Sequence, residues 1–177
     1  MTRYHPLLVV LHWLLALMII LALLMGGAFL SEMPNDDPEK IAALQGHMII
    51  GIAILVLMAI RLLTRLVTAK PPHGSTGNAL LDKAGIATHW LFYILVIGMA
   101  GSGLATASMA GLGAIVFGGS GDPLPPDFTV YPPRIAHGII ATLIGLLLLA
   151  HVAAALFHQF VRKDGLFSRM WFGARRG

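Results

Sequence analysis

Histidine is the residue whose type and spacing in this sequence most readily carry chemistry. Eight are present; His12, His47, His89, His137 and His151 fall inside or at the mouth of long apolar stretches, and His158 lies near the end of the last. An ionisable side chain among apolar neighbours is costly, so its presence points to a bound group, a proton path or a specific partner. Neutral imidazole offers a lone pair to a metal and exchanges a proton near neutral pH. Cysteine is absent, which removes disulfides, thiolate nucleophiles and iron–sulfur ligation.

The spacing sharpens this reading. His137 and His151 are fourteen residues apart. At ~1.5 Å per residue that is about 21 Å along a helix, and fourteen steps of ~100° return to nearly one face. One helix thus presents an imidazole at each of two depths. His47, near the start of its own stretch, falls level with His137, and His12 falls level with His151. Two bis-histidine sites stacked along a bundle result, with His12, His47, His137 and His151 as metal ligands. Haem b fits best, because imidazole is a good axial ligand and, without cysteine, the macrocycle must be held non-covalently. His89 starts at a depth similar to His12 and stays open as the alternative partner of His151. Zinc or copper fits less well, since the paired histidines come from different helices with no carboxylate or sulfur cluster beside them. Gly46, Gly51, Gly138 and Gly145 lie along the ligand-bearing helices and give room for a flat ring, although glycine also serves close helix packing.

The elements that must position these residues are transmembrane helices. Of 177 residues, 57% are hydrophobic and 11% charged. Four apolar stretches, about 6–30, 41–64, 84–105 and 135–161, each approach the ~20 residues needed to cross ~30 Å of hydrocarbon. None alternates as barrel strands do, so the expected fold is all-α: a four-helix transmembrane bundle forming one domain over 1–177. The first stretch is too long for a signal-peptide core and is kept as a helix. Basic residues set the orientation. With both termini cytoplasmic, Arg3, Arg61, Arg65, Lys70, Lys83, Arg162, Lys163, Arg169, Arg175 and Arg176 lie inside, and only Lys40 and Arg134 outside. The net charge of +4 therefore expresses membrane topology, and no nucleic-acid partner is inferred.

Between the helices, Met33–Asp36 reads as a turn, and the segment from Lys70 to Lys83, with Pro71, Pro72, Gly74 and Gly77, as an irregular loop before a helix starting near Asp82 and Lys83. Arg61 and Arg65 are expected to snorkel to the inner headgroups. In the connection from Thr106 to Arg134, the apolar patch Leu112–Phe117 is too short to span and is expected at the interface, capping the outer face. The tail, with Phe167, Met170, Trp171 and Phe172 among cations, reads as an interfacial anchor.

Taken together, His12-Trp13, His47 followed by Ile60-Arg61-Leu62-Leu63 and Arg65, His89 with Tyr93, and His137, His151 and His158 ahead of Arg162-Lys163-Asp164 resemble the bacterial cytochrome b561 family over nearly the whole chain. The resemblance implies a diheme b-type cytochrome of the bacterial inner membrane. Within that family the resemblance further implies a superoxide oxidase, a superoxide:ubiquinone oxidoreductase taking an electron from superoxide at the outer haem and reducing ubiquinone near the inner one. Carried over by position, His47 and His137 ligate the outer haem and His12 and His151 the inner. His158, seven residues beyond His151, and His89 are expected as contacts to the membrane quinone, relaying protons to it. Arg134, one turn before His137, is expected to neutralise propionates or attract superoxide, or else to anchor the helix end. Arg61 and Arg65 are open to pairing with inner propionates. Two further readings stand beside the oxidase: an electron-transfer subunit docking a dehydrogenase or hydrogenase as redox partner, and a haem-based redox sensor. The short tails argue against the sensor.

Overall fold

The computed structural model describes residues 3–72 and 76–173, and these form helices and turns with no strand. Arg175 and Arg176 of the charge pattern, and Gly74 of the loop, lie outside the described residues. Four helices have the length and hydropathy to cross a membrane: α1 (Pro6–Leu24), continued by a π-helical turn to Leu30; α2 (Lys40–Val67); α3 (Ala79–Met109); and α4 (Pro132–Leu156), continued by a π-helical turn to Arg162. The chain is a multi-pass membrane protein.

Local chemistry fixes the helix ends. Proline begins α1 and α4, where its missing N–H is no loss, and Nδ1 of His5 accepts from the N–H of Leu7 at 3.3 Å. The Asn78 side chain accepts from the N–H groups of Leu80 and Leu81 at 2.9 and 3.4 Å, so α3 starts at Ala79 and the irregular loop is shorter than expected. Gly26 and Gly27 sit in the wide turn that ends the first span, and Lys163 closes the last at a left-handed φ of 53°.

Along the bundle α1 packs on α2, α2 on α3 and α3 on α4, whereas the α4 backbone keeps its distance from α1 and α2. Leu11, Leu15, Ile54, Met58, Tyr93, Val96 and Ile144 form the central core. Both described chain ends meet at one end of the bundle, here the near end, where the N–H of Tyr4 donates to the carbonyl of Arg169 at 3.2 Å. The opposite, far end carries the α1–α2 and α3–α4 connections.

One expectation changes. Arg61 and Arg65 do not snorkel: each is only 8% exposed. Arg61 donates to the Tyr93 hydroxyl with its guanidinium 5.5 Å from that ring, and the Arg65 guanidinium lies 5.8 Å from the Trp90 ring. The contact between α2 and α3 encloses them, and the aromatic faces receive the cations. The patch Leu112–Phe117 is two-sided, with Phe117 exposed. Its other side turns inward, burying Leu112 and Val116 against Leu44 and Met48 of α2, with Gln45 Nε2 donating to the Val116 carbonyl at 3.3 Å. It caps the far end as part of a second small core.

The tail folds back across the near end. Trp13 Nε1 donates to the Met170 carbonyl at 2.8 Å and Arg3 to the Phe172 carbonyl at 2.6 Å. Trp13 and Trp171 meet edge to face at 5.3 Å. Trp171 and Phe172 stay exposed, as membrane-interface aromatics are.

Candidate functional site

Five of the six predicted histidines come together in two groups. At the far end, His47 on α2 and His137 on α4 face each other with ring centroids 6.1 Å apart. At the near end, His151 on α4 lies 6.2 Å from His12 on α1 and 5.8 Å from His89 on α3. The fourteen-residue interval on α4 thus does what its helical period dictates: it sets one imidazole in each group.

Hydrogen bonds fix two of the rings. His137 Nδ1 lies 3.0 Å from the Met99 carbonyl and 3.1 Å from the Ser102 hydroxyl, which itself donates to the Met99 carbonyl. A carbonyl only accepts, so Nδ1 carries the proton and Nε2 keeps its lone pair. His89 is arranged in the same way, its Nδ1 donating to the Gly85 carbonyl at 2.7 Å. This outer-shell bond is the usual means of orienting a metal-bound imidazole. Nδ1 of His47 is buried with no hydrogen-bond partner among the described residues, so bonding to them does not explain that ring's position.

The surroundings suit a large planar ligand. Metal–nitrogen bonds of about 2 Å on the two faces of a macrocycle put the imidazole centroids roughly 6 Å apart. An apolar cavity joins His47 to His137 and is walled by Ala22, Gly51, Ile54, Val96, Met99 and Ile144. Glycines lie against both rings: a Cβ on Gly26 would stand 3.3 Å from His47 Cε1, and one on Gly103 would stand 3.2 Å from His137 Cε1. Among the described residues no group of three or more histidines and carboxylates is placed to hold an ion. A bare metal would need such a set, whereas a haem brings its own equatorial donors. The residues fit haem b.

The sequence reading selected Gly46, Gly51, Gly138 and Gly145. Of these, Gly51 lines the cavity, Gly46 faces Met25, Gly138 faces Arg134, and nothing lies within 4 Å of a Cβ on Gly145. Gly26, Gly103 and Ser102 were missed; the available signal was the density of small residues in α3, with Gly98, Gly101, Ser102 and Gly103 in close succession.

His158 stands apart from both groups. Its Nδ1 meets Oδ2 of Asp164 at 2.6 Å, and Asp164 also accepts from Arg162 Nε at 3.2 Å and from the N–H of Leu166 at 3.2 Å. Burial pushes the Asp164 carboxyl up, but the hydrogen bonds from His158 and Leu166 and the Arg162 charge outweigh it and hold the group below its ordinary range. Arg134, in the first turn of α4, is half-buried and within electrostatic reach of Lys40, His47 and His137.

Known proteins are similar to this chain over nearly its whole length. Cytochrome b562 of Cereibacter sphaeroides is 30% identical over 171 residues, covering 94% of each chain. The probable superoxide oxidase CybB of Yersinia pestis is 29% identical over 179 residues, covering 95% of each. Cytochrome b561 homolog 1 of Escherichia coli is 26% identical over 175 residues, covering 96% of this chain and 97% of the other. The family described as prokaryotic cytochrome b561 matches residues 3–173, a range that takes in all four spans and both histidine groups. The chain is thus a haem b electron-transfer protein of the membrane, and it belongs to the prokaryotic cytochrome b561 family.

Proposed function

We propose that the chain is a superoxide:ubiquinone oxidoreductase of the bacterial inner membrane, holding one haem b between His47 and His137 and a second between His12 and His151. Two superoxide ions each give up one electron, and one ubiquinone takes both with two protons. Haem iron supplies the one-electron chemistry that no side chain of this chain provides. The observation that carries the reading is the pair of facing histidine sets, at 6.1 and 6.2 Å, arranged by one helix at two depths of a membrane bundle.

For the near-end set, backbone spacing favours His12 over His89 as the partner of His151. α3 and α4 make the most extensive backbone packing of the bundle, whereas α1 and α4 stand apart and leave more room for a macrocycle between them. Nε2 of His89 is then left to accept a hydrogen bond from a quinol or, once protonated, to donate to a quinone, with His158 and its Asp164 partner at the end of the last span. The charge asymmetry supports a cytoplasmic near end. Arg134 then adds positive potential beside the outer histidines, where a small anion is attracted.

The test is to mix the purified, haem-loaded chain with a superoxide pulse and a soluble ubiquinone analogue, following haem and quinone absorbance together. Fast haem reduction followed by quinone reduction, with no other protein present, is expected. Two of the relatives are named only as cytochromes, which favours a second reading as an electron-transfer subunit for a separate dehydrogenase or hydrogenase. Haems that ignore superoxide but are reduced by an added dehydrogenase would replace the first reading with the second.

A further inference from the structure

Two arginines in α2 are buried with no counter-ion among the described residues. Arg61 and Arg65 are each 8% exposed, and the ion pairs among the described residues are those of Asp164 with His158 and Arg162, so no described carboxylate lies within pairing distance of either. The neutral Tyr93 hydroxyl and two aromatic faces receive the charges in part. Nε of Arg65 is buried with no hydrogen-bond partner among the described residues. A buried cation left in that condition is strongly unfavourable unless an anion completes it.

Position says which anion. Arg61 is fourteen residues after His47, the same interval that separates His137 from His151, so α2 sets Arg61 on the face of His47 at the depth of His151. Its charge acts on His12, His89 and His151 together. Arg61, Thr64 and Arg65 form the buried face of this part of α2, while Leu63 and Val67 lie on its exposed face. The guanidiniums therefore turn into the bundle and away from lipid headgroups.

We infer that Arg61, Arg65 and the Tyr93 hydroxyl form a carboxylate-binding site whose occupant is the propionate edge of the near-end haem. The assignment rests on the haem positions proposed above. A guanidinium presents parallel N–H donors that match the two oxygens of a carboxylate, and two such groups match the two propionates.

The experiment is a redox titration of the haem-loaded chain, wild type against Arg65→Gln and Arg61→Gln, together with haem transfer to apomyoglobin from chains carrying native haem and from apoprotein reconstituted with the dimethyl ester of haem. Removing a cation beside the porphyrin disfavours the reduced form, so Arg65→Gln is expected to lower the midpoint potential of one haem and leave the other unchanged. Arg65→Lys is expected to restore part of the shift. Arg65→Gln is expected to lose the near-end haem to apomyoglobin faster than wild type when the haem is native and at the same rate when it is the ester; this comparison needs no variant at Arg61 to fold. Unchanged potentials in Arg65→Gln, or a difference in haem retention that persists in full with the ester, would overturn the carboxylate assignment while leaving the two-haem reading intact. A wild-type chain that binds haem at His47 and His137 alone would overturn both.

Discussion

Among the described residues His47 and His137 make ring contact with no other histidine, so either can be removed without disturbing the near-end group. Alanine at either position is expected to lower bound haem from about two per chain to about one, read from the pyridine haemochrome spectrum. At the near end the two candidates separate: His12→Ala should lose the second haem, and His89→Ala should keep it with slowed quinone reduction. Loss of haem in His89→Ala alone would reverse the assignment. Gly103→Val presses a side chain onto His137 and is expected to cost about 1–3 kcal/mol of packing, seen as a shifted far-end haem absorbance with the near-end band unmoved. The paired histidines were legible in the sequence because position along a helix converts to depth and face without knowledge of any neighbour. Gly26 and Gly103 were not legible, because each is defined by a ring on a different helix, and Gly26 also lies in a π-helical turn where the ordinary period fails.

At the level of the elements, the spans were readable from hydropathy while their ends and inward faces were not. Asn78 starts α3 early through side-chain capping that hydropathy does not register, and Arg61 and Arg65 are drawn inward by Trp90 and Tyr93 on another helix. Lys40 is a similar case. Counted as an outer charge, it is in fact buried, with Nζ donating to the carbonyls of Leu30 at 2.8 Å and of Met33, and so it ties the start of α2 to the end of the first span. Lys40→Met leaves both carbonyls without that donor and should destabilise the far end by about 1–3 kcal/mol, measured as a lower thermal midpoint in detergent. The turn after α4 responds to acid. Because the folded Asp164 carboxyl lies below its ordinary range, its stabilisation is complete above the unfolded value of about 3.9 and is lost as pH falls through the lower folded one. The group is largely solvated, so the effect is at most about 1 kcal/mol. Limited proteolysis near Lys163 should accelerate in that acid range in the wild type, and Asp164→Asn should remove the pH dependence.

For the whole molecule, topology is open to a direct test because the chain has no cysteine of its own. Single cysteines at Lys83 and Asp122, near opposite ends of the bundle, should label from opposite sides of the membrane, Lys83 from the cytoplasm. Labelling in the reverse sense would invert the proposed orientation and move the superoxide-facing site with it. The strap at the near end bears on how the chain is made. α1 leaves the ribosome first, yet Trp13 waits for the Met170 carbonyl, 157 residues later, and Arg3 for Phe172, 169 residues later. All four spans must therefore be synthesised before the first is fastened, so closure of the strap is a late event in biogenesis, and a nascent chain halted after α4 would sit inserted in the bilayer with Trp13 still unlatched.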